Sequence, residues 1–371
     1  MDPRALAQRV ASIVRQVSAA WWLGRRKTVV GVAAAVVAAV MAVSLALVFA
    51  SPSARPVAHK MAAPVPRPKP KPKPKPNPCP TLARVSPFTG EPIKARDHVL
   101  IVKIDNIVFA RPQTGMTKAD IVYVLPVEGG LTRFFVVFSS HFPRIIGPVR
   151  STRADDLELL RQFGRPAFAF SGAQNNLLPV VEHARIVNLY AGVTNGYFRN
   201  YSRIAPYNLY AVTSVLLRQA RKRSSRAHCI GFRFGPMPWH GRRTTSASVS
   251  YPAASYRFTW SPRRKRWLVW IDGAPADTTD GWQMAAATVV IQHTIVRTSV
   301  YKERGLRPPY AETVGRGWAL VLRNGRAYKV RWSRPRADGG TTFTTYQGKP
   351  FTFAKGQVWI LLVGNRRAES N

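Results

Sequence analysis

Apolar positions in this chain fall into runs of distinct length and spacing. The longest, residues 28–50 (TVVGVAAAVVAAVMAVSLALVFA), holds 23 positions without a charge. A helix needs about 20 apolar residues to cross a bilayer's hydrocarbon core, so this run predicts a membrane span. The alternative is a signal peptide, since the small residues Ser51-Pro52-Ser53-Ala54 follow. Its apolar core would be only about 7 to 15 residues long.

Beyond residue 80 the runs shorten. Residues 99–104, 121–125, 134–138, 167–170 and 186–190 are apolar, bounded by Gly, Pro, Asn or Asp, and predict strands. Between them the spacing predicts helices over 152–162, 173–184 and 212–222. The first would be capped by Ser151 or Thr152, with Asp155 and Asp156 in its first turn. This half reads as a mixed α/β domain (α+β or α/β) over residues 81–235. After a basic, Gly/Pro-rich connector the pattern becomes alternating or β-branched at 255–260, 266–271, 287–299, 317–322, 326–332, 341–346 and 357–363. Residues 244–371 therefore predict an antiparallel β-rich domain.

Charge changes the picture on both sides of the span. Lys and Arg total 56 against 17 Asp and Glu, a net +39. Residues 1–27, read as a cytoplasmic tail, hold +5 and residues 51–80 hold +7, which leaves +27 on the globular part. Cations flank the span on both sides, but the compact Arg25-Arg26-Lys27 abuts it and favours a cytoplasmic N-terminus. In residues 51–80, proline alternates with a cation, mostly lysine, from Pro66 to Pro76, predicting an extended polyproline stalk. It reads either as a solvated spacer or as a contact with anionic lipid or wall polymer. With 46% hydrophobic residues there is ample material for a core, so the charge does not mark a disordered chain.

Polar residues gather beside the expected strand ends, where sheet proteins place ligands. Arg133, Arg150 and Arg153 are candidates for an anion pocket with Ser151 and Asn208, because guanidinium forks hold phosphate or carboxylate in two-pronged geometry. The competing reading pairs these arginines with Asp105, Asp120, Glu128, Asp155 or Asp156 as buried ion pairs. Asp105 and Glu128 are the carboxylates placed for general acid or base work; the competing reading makes them braces that accept from amides or arginines. Ser151 and Ser171 lack a G-x-S-x-G elbow and an identifiable histidine base, so serine hydrolase chemistry is not expected. The histidines make no metal-ligand spacing, and no cofactor is expected. Cys79 and Cys229 either bridge in an oxidising compartment or stand as separate thiols.

The segments IDNIVFARPQTGMTKADIVYVLPVEGGLTRFFVVF, IGPVRSTR and RIAPYNLY occur in that order within residues 84–215. They resemble the YerB-like family, bacterial cell-surface proteins of unknown function. The later ATVVIQHTIV, ETVGRGWALVLRNGRAYKVRW and GQVWILLV look like that family's second domain. The resemblance implies an extracytoplasmic α/β domain followed by a β domain and a link to the cell envelope, and so settles the orientation left open by charge. It implies no reaction. Many relatives look like lipoproteins, whereas Cys79 here lies far beyond the apolar run and lacks the small residues of a lipid-attachment motif. A transmembrane helix is expected in place of the lipid.

The expected function is a single-pass membrane protein with its folded part outside the cytoplasm, a non-catalytic module for anionic cell-wall polymer or a peptidoglycan-assembly protein. The alternative is an enzyme acting on wall glycan or phosphorylated precursors through Asp105, Glu128 and the three arginines. A nucleic-acid partner has only the charge in its favour, with no helix-turn-helix, zinc-finger or aromatic RNA-binding motif beside it.

Overall fold

Short β-branched and aromatic runs between turn residues become strands throughout. The computed structural model describes residues 84–302 and 305–364, so the expected tail, span and stalk, with Cys79, lie outside the described residues. Among the described residues no helix is long and apolar enough to cross a membrane.

In the first half the strands are β1 Leu100–Asp105, β2 Ile121–Pro126, β3 Thr132–Phe138, β4 Ile145–Ile146, β5 Ala167–Phe170, β6 Val187–Tyr190, β7 Tyr197–Arg199 and β8 Leu209–Val212. The second half begins with β9 Arg242–Arg243, β10 Ser246–Tyr251, β11 Ala254–Ser261, β12 Arg266–Ile271, β13 Ala274–Pro275 and β14 Ala285–Ala286. It continues with β15 Thr288–Thr294, β16 Val296–Thr298, β17 Pro309–Ala311, β18 Gly315–Arg323, β19 Arg326–Arg334, β20 Thr342–Thr344 and β21 Val358–Gly364. Among the described residues three short α-helices accompany them: α1 Ala154–Leu160, α2 Leu178–Glu182 and α3 Thr213–Ala220.

One large sheet runs through both halves in the order β20-β19-β18-β15-β21-β2-β3-β1-β5-β6, with β9 added on β19. Strand β21 enters it parallel to both β15 and β2. Strands β1, β5 and β6 are also parallel, and the β2-β3-β1 and β15-β18-β19-β20 runs are antiparallel. The expected antiparallel arrangement of the second half is thus corrected to a mixed one. Parallel neighbours need no hairpin, so the last strand was free to dock wherever both of its faces would be buried.

Those faces build two cores. Along β3, Phe134 and Val136 join one cluster with Trp359, Phe258 and Trp267, over which the smaller β10-β11-β12 sheet packs. Phe135 and Val137 point the other way, to Phe163, Phe168 and Ile360. Trp359 meets Phe134 edge-on at 5.6 Å and Phe258 at 6.1 Å, each contact adding about 0.5 to 1.5 kcal/mol beyond its area.

Among the described residues the helical content is lower than the sequence predicts, and strands dominate. The helix expected over 173–184 shrinks to α2, because Pro179 fits only a first turn. That expected over 152–162 begins at Ala154, since Arg153 stays extended (φ −127°, ψ 167°), and beyond α1 it tightens into a 3-10 turn over Arg161–Phe163.

Candidate functional site

The β2–β3 connection brings most of the candidate residues together. Gly129 and Gly130 take φ 69° and 71°, a conformation that side chains resist. A Cβ on Gly130 would lie 2.6 Å from the Pro252 side chain, so only glycine lets this turn seat against the β10–β11 connection. Glu128, just before them, reaches to the start of α1. One oxygen accepts from Arg153 Nε at 2.9 Å, while the other pairs with the Arg153 NH2 group and lies 3.5 Å from Arg133. Burial pushes the Glu128 carboxyl up, but the Arg153 bond and the charges of both arginines outweigh it and bring it down to about 2.

Arg133 is held between carboxylates. It sits opposite Asp105 in the β1–β3 register and donates to the Ser151 carbonyl at 3.0 Å. Burial and the Arg153 charge lower its pKa to about 10, against the pull of Asp105 and Glu128. Asp105 in turn lies 2.8 Å from Arg150 Nε, an ion pair without an aligned hydrogen bond, and accepts from the Asn106 amide. Arg150 also lies over the Tyr207 ring at 5.5 Å. Beneath, the fully buried Lys103 pairs with Asp156 at 2.6 Å, and Asp156 also accepts from the Thr152 hydroxyl and the Arg153 amide. Its neighbour Asp155 is pushed well up by burial and by the Asp156 charge.

The structure therefore gathers Asp105, Glu128, Arg133, Arg150 and Arg153 into one cluster of two ion-paired groups, Arg150–Asp105 and Arg133–Glu128–Arg153, with the Asp105 charge also acting on Arg133. Ser151 joins through its carbonyl, and its hydroxyl lies 3.4 Å from that of Ser171. Asn208 goes elsewhere: its side chain accepts from Arg199 at 2.6 Å on the β7–β8 hairpin. Cys229 is disulfide-bonded, and the chain's other cysteine, Cys79, lies outside the described residues.

Glu128 also forms one wall of a cleft of about 1300 Å³, lined further by Tyr251, His293, Val296, Arg307, Trp318 and Val363. Its volume exceeds the roughly 300 to 1,000 Å³ of small-molecule sites. Trp318 is 37% exposed and stacks on His293 at 3.6 Å with 16° between the planes. Burial lowers the His293 pKa, which favours the neutral ring in this stack. Sequence reasoning missed this cleft because its walls come from β2, β10, β15, β18 and β21 together. The one local signal was Trp318 at an outward position in an alternating strand.

Comparison with known proteins bears on the whole described chain. Residues 88–226 match the family described as "Protein of unknown function (DUF3048) N-terminal domain", and residues 247–360 match its C-terminal domain. YerB of Bacillus subtilis (strain 168), a lipoprotein by its name, is 43% identical over 72 residues, 18% of this chain. That match spans 22% of the relative's length. The crystal structure of YerB from Bacillus subtilis superposes with a TM-score of 0.63 at 20% identity, over 75% of this chain and 96% of that one, so the fold is shared. The chain belongs to the YerB-like family, both of whose domains carry a description of unknown function.

Proposed function

We propose that this chain is a membrane-anchored, extracytoplasmic envelope protein whose folded part is a non-catalytic module for anionic cell-wall material. The observation that carries the non-catalytic part is the state of Glu128. A general acid must hold its proton near neutral pH, and a carboxylate with a pKa of about 2 does not; a general base or nucleophile needs free lone pairs, and both Glu128 oxygens are engaged by Arg153, one of them also facing Arg133. Asp105 is likewise committed to Arg150. The surplus of +27 beyond residue 80 supports an anionic partner, since a field of one sign attracts polyanions at long range. The lipoprotein name of the relative supports a place at the membrane, with residues 28–50 standing in for the lipid.

The test has two arms. The full chain should bind purified wall sacculi with an affinity that falls steeply with salt, and should release no soluble wall fragments. Fragment release that disappears in Glu128→Gln, with binding retained, would overturn the reading in favour of an enzyme. For anchoring, deletion of residues 28–50 should move the protein to the soluble fraction while Cys79→Ser leaves it in the membrane; release by Cys79→Ser would point to a lipid anchor instead.

A further inference from the structure

The arginines first singled out by sequence are largely neutralised, so they leave open which cations meet an anionic partner. A different group is exposed and unneutralised. On the outer face of the β15-β18-β19 region, His293 stacks on Trp318, Lys329 Nζ lies 5.2 Å from the Trp318 ring centre and 6.0 Å from that of Tyr346, and the Arg331 guanidinium lies 5.1 Å from Tyr346. Trp318 faces Arg331 across the β18–β19 register, and Arg316, exposed two positions before Trp318, shares this face. Among the described residues neither Lys329 nor Arg331 has a carboxylate within ion-pair distance. These cations are held in place by ring faces, which fix a position without cancelling a charge.

The spacing and the surroundings fit a linear polyanion. Lys329 and Arg331 are alternate residues of one strand, so their backbone origins lie roughly 6.5 to 7 Å apart, and the row ends at Trp318 on the rim of the cleft. A linear polymer with one anionic group every few bonds can lie along such a row. The rings of Trp318 and Tyr346 are already engaged by His293, Lys329 and Arg331, so they are poor platforms for nucleobases, which single-strand binding requires. We propose that the Trp318–Lys329–Arg331–Tyr346 strip is a binding site for a base-free phosphodiester polymer, of the polyol phosphate type. This rests on the reading of the protein as a module for anionic wall material, and assigns that contact to a specific surface.

The experiment uses the purified full chain and synthetic poly(glycerol phosphate) as probe, with single-stranded DNA of equal charge and wall sacculi in parallel. Lys329→Gln/Arg331→Gln should weaken poly(glycerol phosphate) binding about tenfold and flatten its salt dependence by roughly 1.4 in logarithmic slope. The control Lys222→Gln/Arg223→Gln removes the same charge from exposed positions elsewhere and should change binding less than about twofold. Trp318→Leu removes no charge and should still cost about two- to fivefold, the equivalent of one exposed cation–π contact. Equal losses in the two double variants, no loss in Trp318→Leu with an unchanged melting temperature, or DNA bound as tightly as poly(glycerol phosphate) would each overturn the assignment. If the full chain binds sacculi and the strip variants do not weaken it, the strip is wrong and the module stands; if it binds neither probe nor sacculi, the module reading itself fails.

Discussion

At the scale of single residues, the buried ion pairs govern stability and its dependence on pH. Glu128→Gln leaves Arg153 and Arg133 without their shared partner, and should destabilise the fold by about 3 kcal/mol. That is the lower end of the range for a broken buried pair, because Glu128 still faces the cleft. Thermal melts of the variant check this; an unchanged melting temperature would remove Glu128 from its bracing role. Because folding depresses the Glu128 pKa, its contribution is present above about 4.5 and is lost as pH falls toward 2. Asp120 has the opposite sign. Burial raises it to about 7, against hydrogen bonds from Ser139 and Ser140, so the folded state holds a proton that the unfolded state releases near 4. Stability from this group is full below about 4 and is lost as pH rises through 7. Asp120→Asn should therefore gain melting temperature relative to the parent as pH rises from 4.5 to 8, and a constant difference across that range would refute the assignment. Sequence reading found the residue types of these pairs, since arginines and carboxylates crowd the strand ends. It left open which arginine meets which carboxylate, because a partner such as Glu128 for Arg153 is 25 positions away and is chosen by the docking of α1 on the sheet.

At the scale of elements, the strands were the legible part. Local alternation and β-branched runs placed β5 and β12 at their observed bounds and nine further strands to within two residues, while the run over 287–299 divides into β15 and β16, and the mostly short strands β4, β7 to β10, β13, β14 and β17 gave no such signal. Of the expected helices, that over 212–222 forms as α3, whereas the other two are shorter than their apolar spacing predicts, because Pro179 fits only a first turn and Arg153 stays extended before Ala154. Two substitutions test how elements are held. Trp359→Ala on β21 empties the contact between the large sheet and the β10-β11-β12 sheet, and should cost about 3 to 5 kcal/mol in chemical denaturation. Gly130→Ala places a side chain at φ 71° and against Pro252, so it should destabilise by more than about 1 kcal/mol. The same change at Gly129, which has φ 69° but meets only Leu131 at 3.9 Å, should cost less, and the difference between the two variants measures the seating of the turn.

At the scale of the whole molecule, all described residues fall in one compact unit, and its sheet does not respect the boundary between the two halves of the sequence. With β21 lying between β15 and β2, residues 84–235 alone would leave β2, a wholly buried strand in the full fold, paired only with β3 and with its other edge exposed. Expressed separately, that segment should aggregate or remain unfolded, and co-expression with residues 236–364 should recover it; a soluble, cooperatively melting first half would contradict this. The positions of the longer strands, the excess of positive charge and the residue types at the strand ends are legible along the chain, because each is encoded locally, in side-chain alternation or in composition. That β21 joins both halves, that Glu128 meets two arginines, and that Lys329 and Arg331 lie on aromatic rings with no carboxylate among the described residues in ion-pair reach are properties of the folded arrangement alone. Each of those outcomes depends on which distant residues become neighbours, and Coulomb and packing forces act over a few ångströms in space, whatever the separation along the chain.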